Sequence, residues 1–245
     1  MCIRDRHYAV TNSGGISPNV VQARAEVLYL VRAPVNSQAS ELYERVKNVA
    51  RGAALMTGCE LDIVFDKACS NYMPNRVLNE VMYANMQALQ GPAYTPGEEQ
   101  TARRMWDSIT EDDIDNAGKN LGAVLRNPTP LFSGVAPFDP AKTEITYGST
   151  DVGDVSWVTP TAQCWAACYA YGTPFHSWQM VAQGKLSMAH KGMVHAAKII
   201  AATAADLYTQ PDALARAKEE LLDARRGQPY ACPIPAEVVP GFMRK

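Results

Sequence analysis

The sequence lacks an excess of one charge and lacks a long hydrophobic run. Its 23 lysine and arginine residues nearly balance its 25 aspartate and glutamate residues, so the formal net charge is −2. A nucleic-acid partner is therefore not expected, because no basic surface is predicted. A membrane-spanning helix needs about 18 or more consecutive apolar residues. The best candidate, 193–207, is interrupted by Lys198 and Asp206, so the sequence predicts no membrane span.

Closely paired cysteines are also missing. The six cysteines, at positions 2, 59, 69, 164, 168 and 232, contain no Cys-x-x-Cys spacing of the kind that structural zinc sites use. Their pattern is typical of small, buried apolar side chains in a reducing compartment. The opening residues 1–6 lead into no apolar run and so have no secretory signal pattern. We therefore predict a cytoplasmic protein.

The first quarter of the chain has the pattern of two strands, a helix and a third strand. Residues 8–11 and 25–32 are rich in β-branched and aromatic side chains and predict an antiparallel hairpin with a long connection. Apolar spacing predicts a helix over 40–57 that ends at Gly58. Alternation over 60–65 predicts a half-buried strand. This order matches the last two-thirds of a ferredoxin-like βαββαβ unit.

The rest of the chain mixes helices and strands without a complete parallel βαβ run, so we predict half of an α/β domain. The predicted helices cover 75–89, 101–109, 187–208 and 211–226, with Gly227 closing the last. The longest helix carries an apolar stripe made of Met193, Ala197, Ile200 and Ala204. The predicted strands cover 154–158 and 163–171, and the predicted loops cover 111–115 and 122–147.

Histidine is scarce, and one of the four stands where α/β enzymes place functional groups. His176 lies in a loop shortly after the apolar segment 163–171. A lone loop histidine is either a ligand or catalyst, or an ordinary polar side chain. His190 and His195 lie about 140° apart around a helix, so they do not easily share a metal. The loop 148–154 is either an active-site loop or an Asx-type turn.

Two segments, taken together, carry a family resemblance. They are Gly148-Ser-Thr-Asp-Val-Gly-Asp-Val-Ser-Trp157 and Thr173-Pro-Phe-His-Ser-Trp178. These segments resemble the C-terminal catalytic part of zinc-dependent amidohydrolases, the superfamily of aminoacylase, carboxypeptidase G and the indole-acetyl-amino-acid hydrolases. The stretch from Gly14 to Arg32 resembles the lid, or dimerisation, domain of that family. Further matching segments are Arg51–Gly58 and Tyr230–Pro235.

The resemblance implies a two-domain enzyme in which an α+β lid interrupts an α/β catalytic domain and also dimerises. It implies two divalent metal ions, zinc or manganese, which activate water to cleave an N-acyl amino acid; an aryl amide of glutamate is favoured. His176 would then be a metal ligand. Asn19 and Arg32 would hold the carboxylate end of the substrate, and Thr150 and Asp151 would contact the substrate. The expected partner is a second copy bound through the lid, or a paralogous subunit.

On this resemblance the chain is a fragment. Residues 7–68 would form an incomplete ferredoxin-like lid, residues 69–245 the C-terminal half of a metallopeptidase-type catalytic domain, and residues 1–6 a non-native leader. The family's His-x-Asp motif, glutamate pair and lid histidine are missing, and His7 is not the lid histidine. Because a catalytic zinc needs about three protein ligands, we expect the chain alone to be inactive and without its general base. A non-catalytic dimerisation or small-molecule-binding module is the alternative.

Overall fold

The computed structural model describes residues 5–120, 128–141 and 148–239. Within these ranges the chain forms two strands and eight helices. It divides into two compact units, one made of Met1–Tyr72, Tyr147–Val155 and Pro229–Lys245, the other of Met73–Thr146 and Ser156–Gln228. This mixture of helix and strand is compatible with the predicted α/β class. The lid assignment, the ferredoxin-like assignment and the predicted domain boundaries stay predictions.

The first unit contains the predicted hairpin and the helix that follows it. Strands β1 (Asp5–Asn12) and β2 (Glu26–Arg32) pair antiparallel, with an irregularity between Val10 and Asn12. Helix α1 (Asn36–Thr57) lies against β2, begins four residues before the predicted start, and ends at Gly58, whose φ is 68°. The hairpin and the glycine stop are therefore confirmed, because both depend on local turn chemistry.

The predicted strand over 60–65 is wrong. Residues 59–75 have no regular secondary structure, and Val64 is 67% exposed. Alternating side chains form a strand only when a neighbouring strand completes the backbone hydrogen bonds, and the sheet in the described residues contains β1 and β2 alone. The segment instead contacts α1 through Phe65, whose ring packs edge-to-face on Tyr43 with 5.7 Å between centroids.

The second unit is mainly helical. Its helices are α2 (Arg76–Leu89), α3 (Pro96–Trp106), α4 (Glu111–Asn120), α6 (Trp178–Gln183), α7 (Ser187–Thr209) and α8 (Pro211–Arg225), and a short helix, α5 (Val152–Ser156), lies in the sequence where one unit gives way to the other. Helix α2 packs against α7 and α8. One buried cluster consists of Ala102, Ile109, Leu131, Ala170 and Met188, and a second of Val77, Leu78 and Ala217.

Helix α2 begins where side chains bind its free amide groups. The Asn75 Oδ1 atom accepts a hydrogen bond from the Leu78 amide at 3.0 Å, and its Nδ2 atom donates to the Ala217 carbonyl at 2.8 Å. The two carboxylate oxygens of Glu220 accept from the Arg76 and Val77 amides, each at 2.9 Å. The same side chains thus cap the start of α2 and connect it to α8. Helix α2 confirms the helix predicted over 75–89.

The acidic segment 111–115 is not the predicted loop, because helix α4 begins at Glu111. The Thr110 hydroxyl lies 2.7 Å from Asp113 Oδ2, and the Asp113 amide donates to the same hydroxyl at 3.2 Å. This is a side-chain cap for the helix start, where carboxylates also interact favourably with the helix dipole. The clustered acids that suggested a solvated loop are therefore the first turn of a helix.

Both strands predicted for this region are also wrong. Residues 154–158 include the end of the short helix α5, and residues 163–171 have no regular secondary structure although Ala170 is fully buried. Side chains replace the missing neighbouring strand for this apolar segment. Tyr94 donates its hydroxyl hydrogen bond to the Ala167 carbonyl at 2.8 Å, and the Trp106 indole donates to the Tyr171 carbonyl at 2.8 Å. Two carbonyl groups of the segment thus have hydrogen-bond partners without a sheet.

Helices α7 and α8 confirm the two predicted C-terminal helices. The apolar stripe predicted for α7, however, does not face the core. The residues buried on α7 are Met188, Ala189, Gly192, Ile199 and Thr203. Met193, Ala197, Ile200 and Ala204 are exposed, so they do not form the face that contacts the core. Helix α8 ends at Arg225, one residue before the predicted end, and Arg226 and Gly227 follow it with φ of 48° and 74°.

The remaining predictions on the fold have mixed outcomes. Helix α3 begins five residues before the predicted start, at a proline preceded by the capping residue Thr95. Residues 128–141 lack regular structure as predicted, whereas 121–127 and 142–147 lie outside the described residues. No helix in the described ranges is long and apolar enough to cross a membrane. Three of the five described cysteines, Cys59, Cys69 and Cys232, are exposed rather than buried.

The Glu98 carboxylate at the start of α3 makes the free energy of unfolding depend on pH. It accepts hydrogen bonds from the Lys191 ammonium at 2.7 Å and from the Thr95 amide at 2.7 Å. The bond from Lys191, followed by that from the Thr95 backbone, lowers the pKa of Glu98 from 4.5 to about 2. Its folded pKa lies below its unfolded pKa, so its contribution is present above pH 4.5 and is lost as the pH falls towards 2.

We therefore expect Glu98→Gln to remove part of the acid dependence of stability between these two pH values. The measurement is urea unfolding of the wild type and the variant at several pH values between about 5 and 2. Glu99→Gln, one residue further along and exposed, is the matched control and is expected to keep the wild-type dependence. Equal pH dependence in the Glu98 variant and the wild type would contradict the assignment.

Candidate functional site

His176 lies at the tip of a loop in the second unit, between Tyr171 and helix α6. Its side chain is exposed, and its backbone has φ of 60°, in the left-handed region. Histidine is one of the few residues other than glycine that is enriched in this region, although the conformation still carries a cost. The chain therefore presents an exposed imidazole on a backbone in the left-handed region.

The buried side chain of Gln183 holds this loop in place. Its Oε1 atom accepts from the Ala170 amide at 2.7 Å, and its Nε2 atom donates to Thr173 Oγ1 at 3.1 Å and to the Gln179 carbonyl at 3.0 Å. The residue is 1% exposed. Gln183 therefore links the two ends of the loop. Breaking its hydrogen bonds would destabilise the folded protein, because a buried amide group without hydrogen-bond partners is costly. Sequence reasoning missed it, and no motif around position 183 indicated the role.

Two further local features set the path of the loop. Gly172 has φ of 83°, and a Cβ atom there would lie 2.9 Å from Ile114 Cγ1, so a side chain would be both strained and crowded. On the other side of His176, Ser177 caps α6: its Oγ atom accepts from the Met180 amide at 3.3 Å and donates to the Pro174 carbonyl at 2.6 Å. A serine directly before a helix was the available signal for α6.

Two aromatic side chains lie near Phe175, the residue next to His176 in the sequence. The Phe175 ring lies 6.1 Å from that of Trp165 and 6.2 Å from that of Tyr169, centroid to centroid. Phe175 and Trp165 are 56% and 61% exposed. An exposed group of this kind can pack against a flat, apolar molecule. We call Trp165, Tyr169 and Phe175 the aromatic group.

The Gly148–Asp154 loop in the first unit is a capped turn. The Val152 amide donates to Thr150 Oγ1 at 3.2 Å, and the Asp154 amide donates to the Asp151 carbonyl at 3.0 Å, so Thr150 starts the short helix α5. The side chain of Asp151 is exposed. The structure thus brings Thr150 and Asp151 together in one turn, and it gives Thr150 a structural part in addition to any contact with substrate.

The last residue of that loop joins three distant parts of the first unit. Asp154 Oδ1 accepts from the Ser70 hydroxyl at 2.6 Å and from the Tyr230 hydroxyl at 3.0 Å, and its carboxylate also accepts from the Ser70 amide. Gly153 has no room for a Cβ atom, which would lie 2.1 Å from the Ser70 carbonyl oxygen. Burial, and then the hydrogen bond to Asp154, raise the pKa of Tyr230. We call this arrangement the Asp154 junction; sequence reasoning missed it.

Of the two residues predicted to hold a carboxylate, Asn19 lies in the connection between β1 and β2, and Arg32 ends β2. Asn19 is exposed in the connection that precedes β2, and its Oδ1 atom accepts a hydrogen bond from the Ser17 hydroxyl. Arg32 is the last residue of β2, opposite Asp5 in the strand register, and its side chain is half-buried. Both lie in the first unit, with Thr150 and Asp151, whereas His176 belongs to the second.

The other three histidines do not join His176 in a cluster. His7 is exposed on β1 opposite Leu30, and His190 is exposed on α7. Burial, and then the nearby Lys198 charge, lower the pKa of His195. Across residues 5–120, 128–141 and 148–239, no three His, Cys, Asp or Glu side chains are grouped to hold a metal ion. An exposed imidazole suits a metal as one ligand, but the described residues do not supply the set of about three that a catalytic zinc needs.

Comparison with known proteins identifies the relatives of this chain. It is 46% identical over 97% of its length to a p-aminobenzoyl-glutamate hydrolase subunit of Escherichia coli K12, and it covers 51% of that protein. It is 27% and 23% identical, over 88% of its length, to the Xaa-Arg dipeptidases of mouse and human, covering 40% and 39% of them. No protein-family model matches the sequence.

The chain thus spans about half the length of its bacterial relative and about two-fifths of the two dipeptidases. The match to the bacterial relative runs along nearly the whole chain and not through one short motif. The relatives include a hydrolase of an acyl-glutamate and two dipeptidases, which agrees with the resemblance of the Gly148–Trp157 and Thr173–Trp178 segments. The chain is therefore similar, along nearly its whole length, to about half of a p-aminobenzoyl-glutamate hydrolase subunit, and more distantly to parts of two dipeptidases.

Proposed function

We propose that this chain is part of a metal-dependent amidohydrolase that cleaves the amide bond of N-acyl amino acids such as p-aminobenzoyl-glutamate. The observation that carries the proposal is the 46% identity along 97% of the chain to a protein named for that reaction. The names of the more distant relatives describe Xaa-Arg dipeptides. Both kinds of molecule contain an amide bond next to an amino acid with a free carboxylate, so this linkage is the shared chemistry.

His176 is proposed as one ligand of a divalent metal, zinc or manganese. Its exposure, its left-handed backbone and the Gln183 hydrogen bonds support a fixed, outward imidazole, and a neutral imidazole nitrogen is a common ligand for such metals. When bound, a pair of divalent ions would supply polarisation of the amide carbonyl and activation of water. The contribution of this chain is to hold one imidazole in position. The general base is proposed to lie outside these residues.

The substrate's carboxylate end is proposed to contact Arg32 and Asn19. A guanidinium group bonds both oxygens of a carboxylate at once, and an amide side chain can donate one more hydrogen bond. Thr150 and Asp151 are proposed as further substrate contacts; both lie in an exposed turn, where the Asp151 side chain is accessible. The exposed aromatic group supports an aryl acyl part, because a flat ring can stack on Trp165 or Phe175.

Oligomeric partners are proposed on two grounds. The bacterial relative is named as one subunit of its enzyme, which supports a paralogous partner. The β1–β2 hairpin is a two-stranded sheet within the described residues, and the outer edges of such a sheet favour pairing with another chain. We propose a homodimer through the hairpin region, with assembly onto a paralogous subunit as the second arrangement.

The test is hydrolysis of p-aminobenzoyl-glutamate by this chain alone and by an assembled protein. The assembled protein joins this chain to the part of the E. coli relative that it does not match. We expect no turnover by the chain alone, and turnover by the assembled protein that is lost with chelator and restored by zinc or manganese. The unmatched E. coli part alone is the control.

Two outcomes would contradict the proposal. Turnover by the 245-residue chain alone would show that its site is complete. A folded assembled protein that binds metal but hydrolyses no N-acyl amino acid would favour the alternative, a non-catalytic dimerisation or small-molecule-binding module. Measuring bound metal and circular dichroism on the same samples separates this result from simple misfolding.

A further inference from the structure

The tip of the loop that carries His176 is only three residues long. It runs from Pro174 to His176, between the buried Thr173 and Ser177, the residue that caps helix α6. Thr173 is 6% exposed, whereas Phe175 is 56% exposed. Pro174 makes this short tip stiffer, because its ring fixes the backbone angle φ. The position of His176 therefore depends on how the chain is held at Thr173 and at the start of α6.

The Thr173 hydroxyl holds the first end of this tip. It donates a hydrogen bond to the Ala170 carbonyl at 2.6 Å and accepts one from Gln183 Nε2 at 3.1 Å. The Thr173 amide donates to the same carbonyl at 3.1 Å. A carbonyl oxygen only accepts and an amide nitrogen only donates, so the hydroxyl has one orientation that satisfies both partners.

The Gln183 amide connects the chain before His176 to the chain after it. Because its Oε1 atom accepts from the Ala170 amide, its Nε2 atom is the one that donates to Thr173 and to the Gln179 carbonyl. Ala170 and Gln183 are 0% and 1% exposed. A buried polar network whose members are paired in this way makes the surrounding structure rigid.

We propose that Thr173 and Gln183 are positioning residues for His176: the hydrogen bond between their side chains determines where the imidazole lies and, through this, how tightly a metal binds. This inference rests on the proposed function, in which His176 is a metal ligand. Partners that orient a metal-binding histidine are typically worth about 10- to 100-fold in metal affinity or activity. Thr173 and Gln183 act on the backbone that carries the imidazole, so we expect an effect at the lower end of this range.

The test measures the dissociation constant of zinc in the assembled protein by competition with a chelator. Thr173→Val removes the hydroxyl but keeps the branched shape of the side chain, and it should raise the dissociation constant about tenfold. Thr173→Ser keeps the hydroxyl and should bind zinc as tightly as the wild type. Gln183→Met removes all the hydrogen bonds of the amide and should raise the constant at least as much, so it decides the question if Thr173→Val does not fold.

Thr203→Val is the matched control for the loss of a buried hydrogen bond. Thr203 lies on α7 in the same unit, is 5% exposed, and donates its hydroxyl hydrogen bond to the Ile199 carbonyl at 2.8 Å. Its replacement should lower the free energy of unfolding as Thr173→Val does, but it should leave the dissociation constant of zinc unchanged. Urea unfolding of the same samples measures the free energy of unfolding of each variant.

The inference and the proposed function fail in different ways. If His176→Ala weakens zinc binding and Thr173→Val does not, the positioning role is overturned and the metal ligand stands. Equal weakening by Thr203→Val and Thr173→Val would also overturn the positioning role, because any lost buried hydrogen bond would then have the same effect. If His176→Ala leaves zinc binding unchanged, His176 is not a ligand, and the proposed role of His176 fails together with this inference.

Discussion

Replacing His176 by alanine in the assembled protein is expected to lower both bound metal and the rate of N-acyl glutamate hydrolysis by more than about 100-fold. Loss of a residue that only hydrogen-bonds to a metal ligand costs about 10- to 100-fold in metal affinity or activity, and loss of the ligand itself should cost more. The physical reason is that a catalytic metal with about three protein ligands does not stay bound when one is removed. Bound metal is measured by elemental analysis and the rate by release of p-aminobenzoate.

His176→Gly separates loss of the ligand from loss of the loop. Glycine adopts the left-handed backbone of position 176 without the cost that a side chain carries there, so this variant should fold at least as well as the alanine variant and be equally inactive. Added imidazole should restore part of the activity of the glycine variant. His7→Gln is the control for removing a histidine elsewhere. Full metal content and activity in either His176 variant would remove this residue from the metal site.

Gly192→Ala is expected to destabilise the second unit by about 1–3 kcal/mol, the usual cost of forcing extra volume into a packed region. A Cβ atom at this position of α7 would lie 2.2 Å from the Ala167 carbonyl oxygen and 2.6 Å from Cys168 Sγ. The cysteine side chain can move, but the carbonyl belongs to the segment that runs to the buried Ala170. Helix α7 would therefore have to shift away from that segment.

Gly52→Ala is the matched control, since Gly52 also lies inside a long helix but has nothing within 4 Å of its Cβ position. There the same substitution should stabilise α1 by up to about 1 kcal/mol, because alanine is the better helix former. Urea unfolding combined with hydrogen exchange assigns each effect to its helix. Stabilisation by both substitutions would show that α7 does not approach residue 167 closely.

Local signals in the sequence predicted the helices better than the strands. Helices α2 and α7 are predicted from apolar residues at helical spacing, and α8 from Pro211 at its start and Gly227 after its end. The prediction of a strand over 163–171 was wrong because an apolar composition indicates that a segment is buried, and it does not indicate that a neighbouring strand is present. Three backbone groups of this segment form hydrogen bonds with Tyr94, Trp106 and Gln183, which belong to other segments of the chain. A pattern of one segment cannot reveal such partners.

The same limit explains the outcome for the site. Position 176 was predicted from its place after an apolar segment and from the family resemblance, but the left-handed backbone and the Gln183 hydrogen bonds depend on tertiary contacts. The stripe of α7 illustrates the opposite error: Met193 and Ile200 do form a periodic apolar face, yet this face is not the one that contacts the core. Periodicity identifies a face that avoids water, and it does not say which neighbour covers it.

The Asp154 junction has a consequence for the order in which the chain acquires its structure during synthesis. Its hydrogen bonds link Asp154 to Ser70 across 84 positions and to Tyr230 across 76 positions. Contacts this far apart form slowly because long stretches of chain must first be ordered. The hairpin and α1 can form as soon as they leave the ribosome, whereas the unit that contains them closes only after Tyr230 has emerged. Until then, the first unit lacks the hydrogen bond from Tyr230 that completes the Asp154 junction.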